Sequence, residues 1–234
     1  MKVVTVSCLM LFVAGCATTD SLTPQFTRTD PKRGQVAQVE ATANSGASKT
    51  APVMIRIIKE DKKLELWKED VDQKWSRIKS YEICYYSGDL GPKKKQGDYQ
   101  APEGFYEITK AQLNPHSREH LSMDTGYPNN YDRFYGYTGS NVMIHGGCSS
   151  AGCYAITDKN IEEVYASVRD ALNHRQKSVQ LQIYPFAMTD WRMRFEKENP
   201  NYNFWRQLKL GWDYFDKNQK VIPITVSSQE YKLK

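Results

Sequence analysis

A histidine and two cysteines lie within nine residues in the segment HGGCSSAGC, residues 145–153. His145 precedes Cys148 by three positions and Cys153 by eight. Side chains of these types can hold a metal, form a structural pair, take part in redox exchange or supply a nucleophile. Structural zinc uses four ligands with paired C-x2-C spacing, and redox motifs use C-x-x-C. Metal and redox roles therefore fit this segment less well than the other two.

Nucleophilic catalysis uses every part of the segment. A cysteine attacks as a thiolate, which needs a neighbouring base or positive charge, and the tetrahedral intermediate needs backbone N–H donors. The small residues of SSAGC allow the backbone to approach a reacting carbonyl. His145 ends a predicted strand, NVMIHG, from which its ring could reach the thiol. The residues thus favour a cysteine nucleophile, while a purely structural role for both cysteines stays open.

The elements around this segment predict a β-rich α+β domain. Apolar runs predict a hairpin in VMIRIIKEDKKLELWKED and further strands in WSRIKSYEICYY, FYEIT, NVMIHG and SVQLQIYPF. Residues 110–140 are rich in turn-forming residues and predict loops.

Helices are predicted only after the cysteine segment. Apolar residues at helical spacing predict one helix with Thr157 or Asp158 as its cap; they are Ile161, Val164, Tyr165, Val168, Ala171 and Leu172. Residues 189–211 predict two helical pieces separated near Pro200, and the lysine-rich C-terminus is expected to be loosely ordered.

The N-terminus has the form of an export signal. Its first sixteen residues, MKVVTVSCLMLFVAGC, contain one lysine, an apolar run and small residues before Cys16. The ending VAGC resembles a bacterial lipoprotein signal, which implies a signal peptide over residues 1–15 and a lipidated Cys16. With Ala17 next, the resemblance implies a lipid anchor in the outer membrane of a Gram-negative cell, on the periplasmic face.

The remainder divides into three parts. Residues 16–51 are rich in small and polar residues and predict a flexible tether. Residues 52–188 hold the predicted catalytic domain, and residues 189–234 a helical extension packed on it. The formal charge is +5, with scattered basic residues, so we expect no nucleic-acid partner. The segment GPKKK, residues 91–95, is expected to be a solvated loop.

Several ordered motifs resemble the YkuD-type L,D-transpeptidase family. Residues 150–153, SAGC, match its S-x-G-C signature, and residues 144–146, IHG, match the histidine-glycine segment before it. Upstream, APEGFYEI resembles the T-P-x-G-x-F/Y strand of the family. The YafK-like branch is the most similar, through the motifs YEICYYSGDLGPKKKQGDYQAPEGFYEIT, LNPHS, GYPNNYD, GSNVMIHGGC and GCYAITD. The resemblance covers about residues 53–190.

This resemblance implies a β-sandwich-like catalytic domain with a short helix after the cysteine. It implies that Cys153 is the nucleophile and His145 its general base, and that the amides around Gly152 and Cys153 form the oxyanion hole. The expected substrates are peptidoglycan stem peptides, attacked at the L-centre of meso-diaminopimelate. A thioester forms and an amine or water resolves it, and neither a metal nor an organic cofactor is implied.

Residues near the motif are expected to bind substrate. They are Gly146, Ser150 and Tyr154. Arg133 could bind a substrate carboxylate in bidentate fashion, and a surface role for it is equally compatible. HSREH, residues 116–120, fits a zinc-protease pattern but lies in a loop bounded by proline, which favours a solvated turn.

Two departures from the family affect the expected reaction. Ala155 stands where typical members carry arginine, and no histidine lies between residues 121 and 144. Members of the YafK-like branch resemble hydrolases that release a wall-bound lipoprotein, so we expect hydrolysis of the peptidoglycan–lipoprotein link. The alternatives are a transpeptidase that forms cross-links or lipoprotein attachments, and a non-catalytic peptidoglycan-binding module.

The mature domain is expected to contain an odd number of cysteines. Export would remove Cys8 and lipidate Cys16, so the mature domain keeps Cys84, Cys148 and Cys153. An odd number in an oxidising compartment suggests one disulfide and one free thiol, or three free thiols. A Cys84–Cys148 pair would leave Cys153 free.

Overall fold

Two five-stranded sheets form the body of the protein. The structure is a computed structural model, and it describes residues 48–234. The predicted signal peptide, Cys16 and most of the predicted tether lie outside these residues. The strands are β1 (Val53–Ile58), β2 (Lys63–Glu69), β3 (Trp75–Glu82), β4 (Tyr85–Tyr86), β5 (Gly104–Ile108), β6 (Leu113–Ser117), β7 (His120–Asp124), β8 (Met143–His145), β9 (Tyr154–Ala155), β10 (Val179–Tyr184), β11 (Ile224–Ser227) and β12 (Glu230–Leu233). The helices are α1 (Asn130–Phe134), α2 (Asp158–Asn173), α3 (Asp190–Arg194) and α4 (Tyr202–Asn218), with a 3-10 turn at Lys110–Gln112.

The two sheets have different strand orders and both are mixed. The first has the order β3-β2-β1-β10-β5, and the second has the order β4-β9-β8-β7-β6. The pairs β1–β10 and β8–β9 are parallel, while the other pairs are antiparallel. The predicted β-rich α+β class is therefore confirmed.

One apolar core lies among the first sheet, the second sheet and α2. Val53, Ile55 and Ile57 of β1 contribute to it, as do Ile144 of β8 and Tyr154 of β9. All six predicted apolar residues of α2 are buried, so the predicted helix is confirmed. Its first turn is capped by the Thr157 hydroxyl, which accepts from the Asn160 amide at 3.4 Å.

The other face of the first sheet is covered by the C-terminal part of the chain. Trp205 and Leu208 of α4 pack with Phe105 and Tyr184 in a second apolar cluster. Because both faces of β1 and β10 are covered, each of these strands is buried throughout, which explains their nearly continuous apolar sequence. The predicted break near Pro200 is confirmed, and α4 continues past Gly211 to Asn218.

Two expectations about irregular segments are wrong. Residues 110–140 were expected to be loops, but they contain the β6–β7 hairpin and α1. The C-terminus was expected to be loosely ordered, but β11 and β12 pair as a hairpin. Tyr231 of β12 is buried and stacks on Tyr131 with ring centroids 4.6 Å apart, and its hydroxyl accepts from the side-chain Nδ2 of Asn129 at 2.9 Å. These contacts between distant segments, rather than local sequence, order the hairpin.

Asp132 in α1 gives the fold a pH-dependent contribution to stability. Its side chain is buried and accepts from the Asn129 amide at 2.9 Å and from the Tyr106 hydroxyl at 3.2 Å. Burial raises the pKa of this carboxyl from 3.8 to about 7, although these hydrogen bonds act in the opposite direction. The folded state therefore binds more protons than the unfolded state between these two values, and stability falls as pH rises through that window.

We expect Asp132→Asn to gain stability relative to the wild type as pH rises from about 4 to about 8. The neutral amide avoids the cost of burying a charge, and the pKa difference corresponds to at most about 4 kcal/mol. Unfolding free energies from urea titrations across this range measure the change. Asp72→Asn, at an exposed loop position, is the control. A difference between Asp132→Asn and wild type that does not vary with pH would contradict this assignment.

Candidate active site

Strands β8 and β9 bring the backbones of His145 and Cys153 close together in the second sheet. The strands are parallel, with Ile144 opposite Tyr154 and His145 opposite Ala155. Ile144 and Tyr154 belong to the apolar core. Cys153 directly precedes β9, and its sulfur accepts a hydrogen bond from the amide of Met143 in β8 at 3.3 Å. His145 ends β8 two residues after Met143, so the fold places both candidate residues on neighbouring segments.

A single hydrogen bond selects the tautomer of the neutral His145 ring. The ring is buried, and Nδ1 lies 2.6 Å from the Gly146 carbonyl oxygen. Because a carbonyl oxygen can only accept, Nδ1 carries the proton and Nε2 of the neutral ring keeps its lone pair. A ring held in this way can accept a proton from a neighbouring thiol.

Gly146 lies in a tightly packed position beside His145. It is buried, and a Cβ at this position would lie 2.5 Å from Asp158 Oδ1 and 2.6 Å from the Glu119 carbonyl oxygen. Its amide donates to the carbonyls of Glu119 and Leu121. Only glycine therefore fits at this position, where its carbonyl accepts from the His145 ring.

The Cys153 thiol is half-exposed and not disulfide-bonded. Its sulfur accepts from the Met143 amide at 3.3 Å and lies 3.6 Å from the Asn141 carbonyl oxygen. Burial raises the pKa of the thiol, while hydrogen bonds from the Met143 amide and the Ser150 hydroxyl act in the opposite direction. The thiol is thus protonated at neutral pH and needs a base to become a nucleophile.

The two amides expected to form the oxyanion hole are both engaged. Gly152 has φ +105°, a conformation that favours glycine. Its amide donates to the Ser87 hydroxyl at 2.6 Å, and the Cys153 amide donates to the Ser150 hydroxyl at 2.8 Å. Ser150 therefore supports the turn that carries the nucleophile. Ser87 gave no local signal in the sequence, because the fold brings it to Gly152 across 65 positions.

Cys84 and Cys148 form a disulfide, with their Cα atoms 5.3 Å apart. Cys148 lies in the loop between His145 and Cys153, and Cys84 directly precedes the edge strand β4. Strand β4 pairs with β9, which follows Cys153. The disulfide thus ties the loop of the candidate site to the edge of its own sheet and leaves Cys153 as the free thiol within residues 48–234.

An open pocket of about 200 Å³ lies beside Cys153. Its lining residues are Lys93, Gln96, Gly97, Tyr99, Ser140, Asn141, Val142, Ala151, Gly152 and Cys153. The expectation of a solvated GPKKK loop is wrong for Lys93, which is buried and paired with Asp98. Burial raises the pKa of Asp98, but hydrogen bonds from Lys93 and from three backbone amides outweigh it and lower the pKa to about 2. This ion pair shapes one wall of the pocket.

Two residues expected to bind substrate lie elsewhere. Tyr154 is fully buried and its hydroxyl donates to the Pro102 carbonyl at 2.6 Å, so we assign its side chain a packing role. Arg133 is exposed on α1, where its guanidinium contacts Asn130 Oδ1 at 3.4 Å, and it does not line the pocket.

The possible metal motif HSREH lies across the β6–β7 hairpin and not on a helix. His120 pairs with Glu162 at 2.7 Å. Within residues 48–234, there is no group of three or more His, Cys, Asp or Glu side chains that could hold a metal ion. No helix in this part of the chain is long and apolar enough to cross a membrane.

A free thiol beside a pocket, with a histidine on the neighbouring strand, is compatible with cysteine-dependent acyl transfer. The family described as YkuD, L,D-transpeptidase catalytic domain, matches residues 52–180. The chain is also 45% identical over 181 residues to the Escherichia coli (strain K12) protein YafK, which is named as an L,D-transpeptidase; the match covers 77% of this chain and 73% of YafK. The protein therefore belongs to the YkuD L,D-transpeptidase family.

Solved structures of other bacterial proteins are more distant. The cell-shape-determining protein Pgp2 of Campylobacter jejuni, as its K307A mutant, has a TM-score of 0.48 at 23% identity, covering 74% of this chain and 62% of that chain. L,D-transpeptidase 1 of Mycobacterium tuberculosis has a TM-score of 0.32 at 9% identity, covering 57% of this chain and 62% of that chain.

Proposed function

We propose that this protein hydrolyses the link between peptidoglycan and a wall-bound lipoprotein through a thioester on Cys153. The family acts on peptidoglycan stem peptides. The observation that carries the proposal is a free Cys153 thiol at an open pocket, with the buried His145 at the end of the neighbouring strand and its Nδ1 donating to the Gly146 carbonyl.

In the first half-reaction, the thiol attacks the carbonyl at the L-centre of meso-diaminopimelate. His145 Nε2 takes the thiol proton as the sulfur–carbon bond forms. The tetrahedral intermediate then collapses, and the bond to the lysine side-chain nitrogen of the lipoprotein breaks. The imidazolium gives its proton to that nitrogen, so the lipoprotein leaves with a free amine and the stem peptide remains as a thioester.

In the second half-reaction, water attacks the thioester. His145 Nε2 accepts a proton from the water, the carbon–sulfur bond breaks, and the proton returns to the sulfur. The products are the stem peptide with a free carboxyl and the regenerated thiol. An amine in place of water would give a transpeptidase by the same steps. Ala155, which stands where typical family members carry arginine, lies opposite His145 and is buried. This residue brings no charge to the site, which supports an acceptor different from that of typical members.

We further propose that the protein acts from the periplasmic face of the outer membrane, held by a lipid on Cys16. The signal-like first fifteen residues and the composition of residues 16–51 support this location. An anchor of this kind would keep the catalytic domain near the wall-bound lipoprotein. Palmitate labelling of cells that make wild-type protein or Cys16→Ala, followed by membrane fractionation, tests it. Unlabelled wild-type protein would contradict the lipid anchor.

The experiment that tests the reaction uses the purified full-length protein in detergent, with lipoprotein-bearing sacculi in H₂¹⁸O. A hydrolase releases lipoprotein with a free lysine side chain and leaves ¹⁸O in the new carboxyl of the stem peptide, as mass spectrometry will show. New diaminopimelate cross-links or exchanged amino acids without ¹⁸O would indicate the transpeptidase. Binding to sacculi without any product that depends on Cys153 would indicate the non-catalytic module.

A further inference from the structure

We propose that the Ser87 hydroxyl is a positioning residue for carbonyl addition at Cys153. It holds the Gly152 peptide so that the neighbouring Cys153 amide can stabilise the developing oxyanion. This inference rests on the thioester chemistry proposed above and not on the identity of the acyl donor.

The direction of each hydrogen bond around Ser87 is fixed by its partners. The Gly152 amide can only donate, and it lies 2.6 Å from the Ser87 oxygen. The Tyr99 carbonyl can only accept, and it lies 2.7 Å from the same oxygen. The hydroxyl therefore accepts from Gly152 and donates to Tyr99, so its proton has one orientation. A hydroxyl with both roles fixed in this way is a rigid support for the turn.

The same residue connects the nucleophile turn to a second segment of the pocket lining. Tyr99 lines the pocket together with Gly152 and Cys153. The Ser87 carbonyl also accepts from the Ala101 amide at 3.1 Å, and Ser87 lies three residues after the disulfide-bonded Cys84. The Ser87 hydroxyl thus joins two lining segments that are distant in sequence, and its loss would remove this connection beside the nucleophile.

The two serines at the turn differ in how easily they can release an amide. An amide carries one hydrogen, so neither Gly152 nor Cys153 can bind an oxyanion while a serine accepts from it. Ser150 lies in the turn itself, three residues before Cys153, and rotation about its χ1 frees the Cys153 amide without moving the backbone. Ser87 comes from another segment and donates onward to Tyr99. We therefore assign the Cys153 amide as the oxyanion donor and Ser87 as the fixed support.

Comparison of two reactions of the Cys153 thiol tests the proposal. Acylation by p-nitrophenyl acetate passes through a tetrahedral oxyanion, whereas alkylation by iodoacetamide does not. In the acylation, the sulfur–carbon bond forms, p-nitrophenolate leaves and the thiol proton passes to His145 Nε2. We expect Ser87→Ala in the full-length protein to lower the acylation rate about tenfold, as expected for one lost hydrogen bond in the transition state. Alkylation should keep its wild-type rate.

Ser87→Thr and Ser87→Val have side chains of equal shape, so together they separate the effect of the hydroxyl from the effect of packing. Ser87→Thr should acylate within threefold of wild type, while Ser87→Val should resemble Ser87→Ala. Ser80→Ala, on the exposed part of β3, should change neither reaction. Equal acylation by Ser87→Thr and Ser87→Val, or a parallel loss of both reactions, would overturn the proposal. The ester contains no peptidoglycan, so this test does not depend on the proposed substrate. If the protein released nothing from sacculi but Ser87→Ala still slowed acylation by the ester, only the proposed substrate would be refuted.

Discussion

Cys153→Ala is expected to lose acyl transfer by at least about 10⁴-fold and to remain folded. The proposed thioester forms on the Cys153 sulfur, so its removal takes away the nucleophile of the reaction. The Cys153 side chain is half-exposed, and its sulfur contacts the Met143 amide and the Asn141 carbonyl. Its removal should therefore cost little stability. The release of lipoprotein from sacculi measures activity, and thermal unfolding measures the fold.

Cys153→Ser is the matched control for this variant. It keeps a hydrogen-bonding atom at the same position but replaces the thiol by a hydroxyl that ionises far less readily. We expect it to be as inactive as Cys153→Ala, with a similar unfolding temperature. If Cys153→Ala released lipoprotein at a rate near that of wild type, Cys153 would not be the nucleophile.

His145→Asn is expected to lower acylation about 10²- to 10⁴-fold at neutral pH, and less at alkaline pH. Asparagine can still donate to the Gly146 carbonyl, as Nδ1 does now, but it has no basic Nε2. Burial raises the pKa of the Cys153 thiol above its ordinary value of 9.0. In the variant, the thiol can therefore be deprotonated only by water or hydroxide from the solvent. Its rate should therefore continue to rise beyond pH 9, where the contribution of a general base decreases.

The measurement is the rate of acylation by p-nitrophenyl acetate from pH 6 to 10 in wild type and His145→Asn. This ester is suitable because p-nitrophenolate leaves without a proton, so the experiment isolates deprotonation of the thiol. If His145→Asn lowered the acylation rate by the same factor at every pH, His145 would support the fold of the site and not proton transfer. His174→Asn, at the exposed end of α2, should match wild type throughout.

The parts of the fold that were predictable from sequence are those with a local pattern. The apolar runs of β1 and β10 and the helical spacing from Ile161 to Leu172 each reflect burial of a whole element. His145 and Cys153 were predictable as residues on neighbouring segments because they lie in one short stretch, at the end of one strand and just before another.

The parts that were not predictable depend on contacts between distant segments. The β6 sequence LNPHS contains polar residues and a proline, and it becomes a strand because β7 pairs with it at the edge of the sheet. Ser87 reaches Gly152 only through the fold. Lys93 resembles a solvated lysine in sequence, but Asp98 and the Lys95 carbonyl satisfy its ammonium group inside the pocket wall.

The most direct test of the thioester is to trap it. Wild-type protein would be mixed with a soluble muropeptide that carries the lipoprotein's terminal lysine, quenched with acid within the first turnover, and digested for peptide mapping by mass spectrometry. We expect a stem-peptide adduct on the peptide that contains Cys153, removed by neutral hydroxylamine and absent from Cys153→Ala. Full product release without any adduct, or an adduct on a different residue, would contradict it.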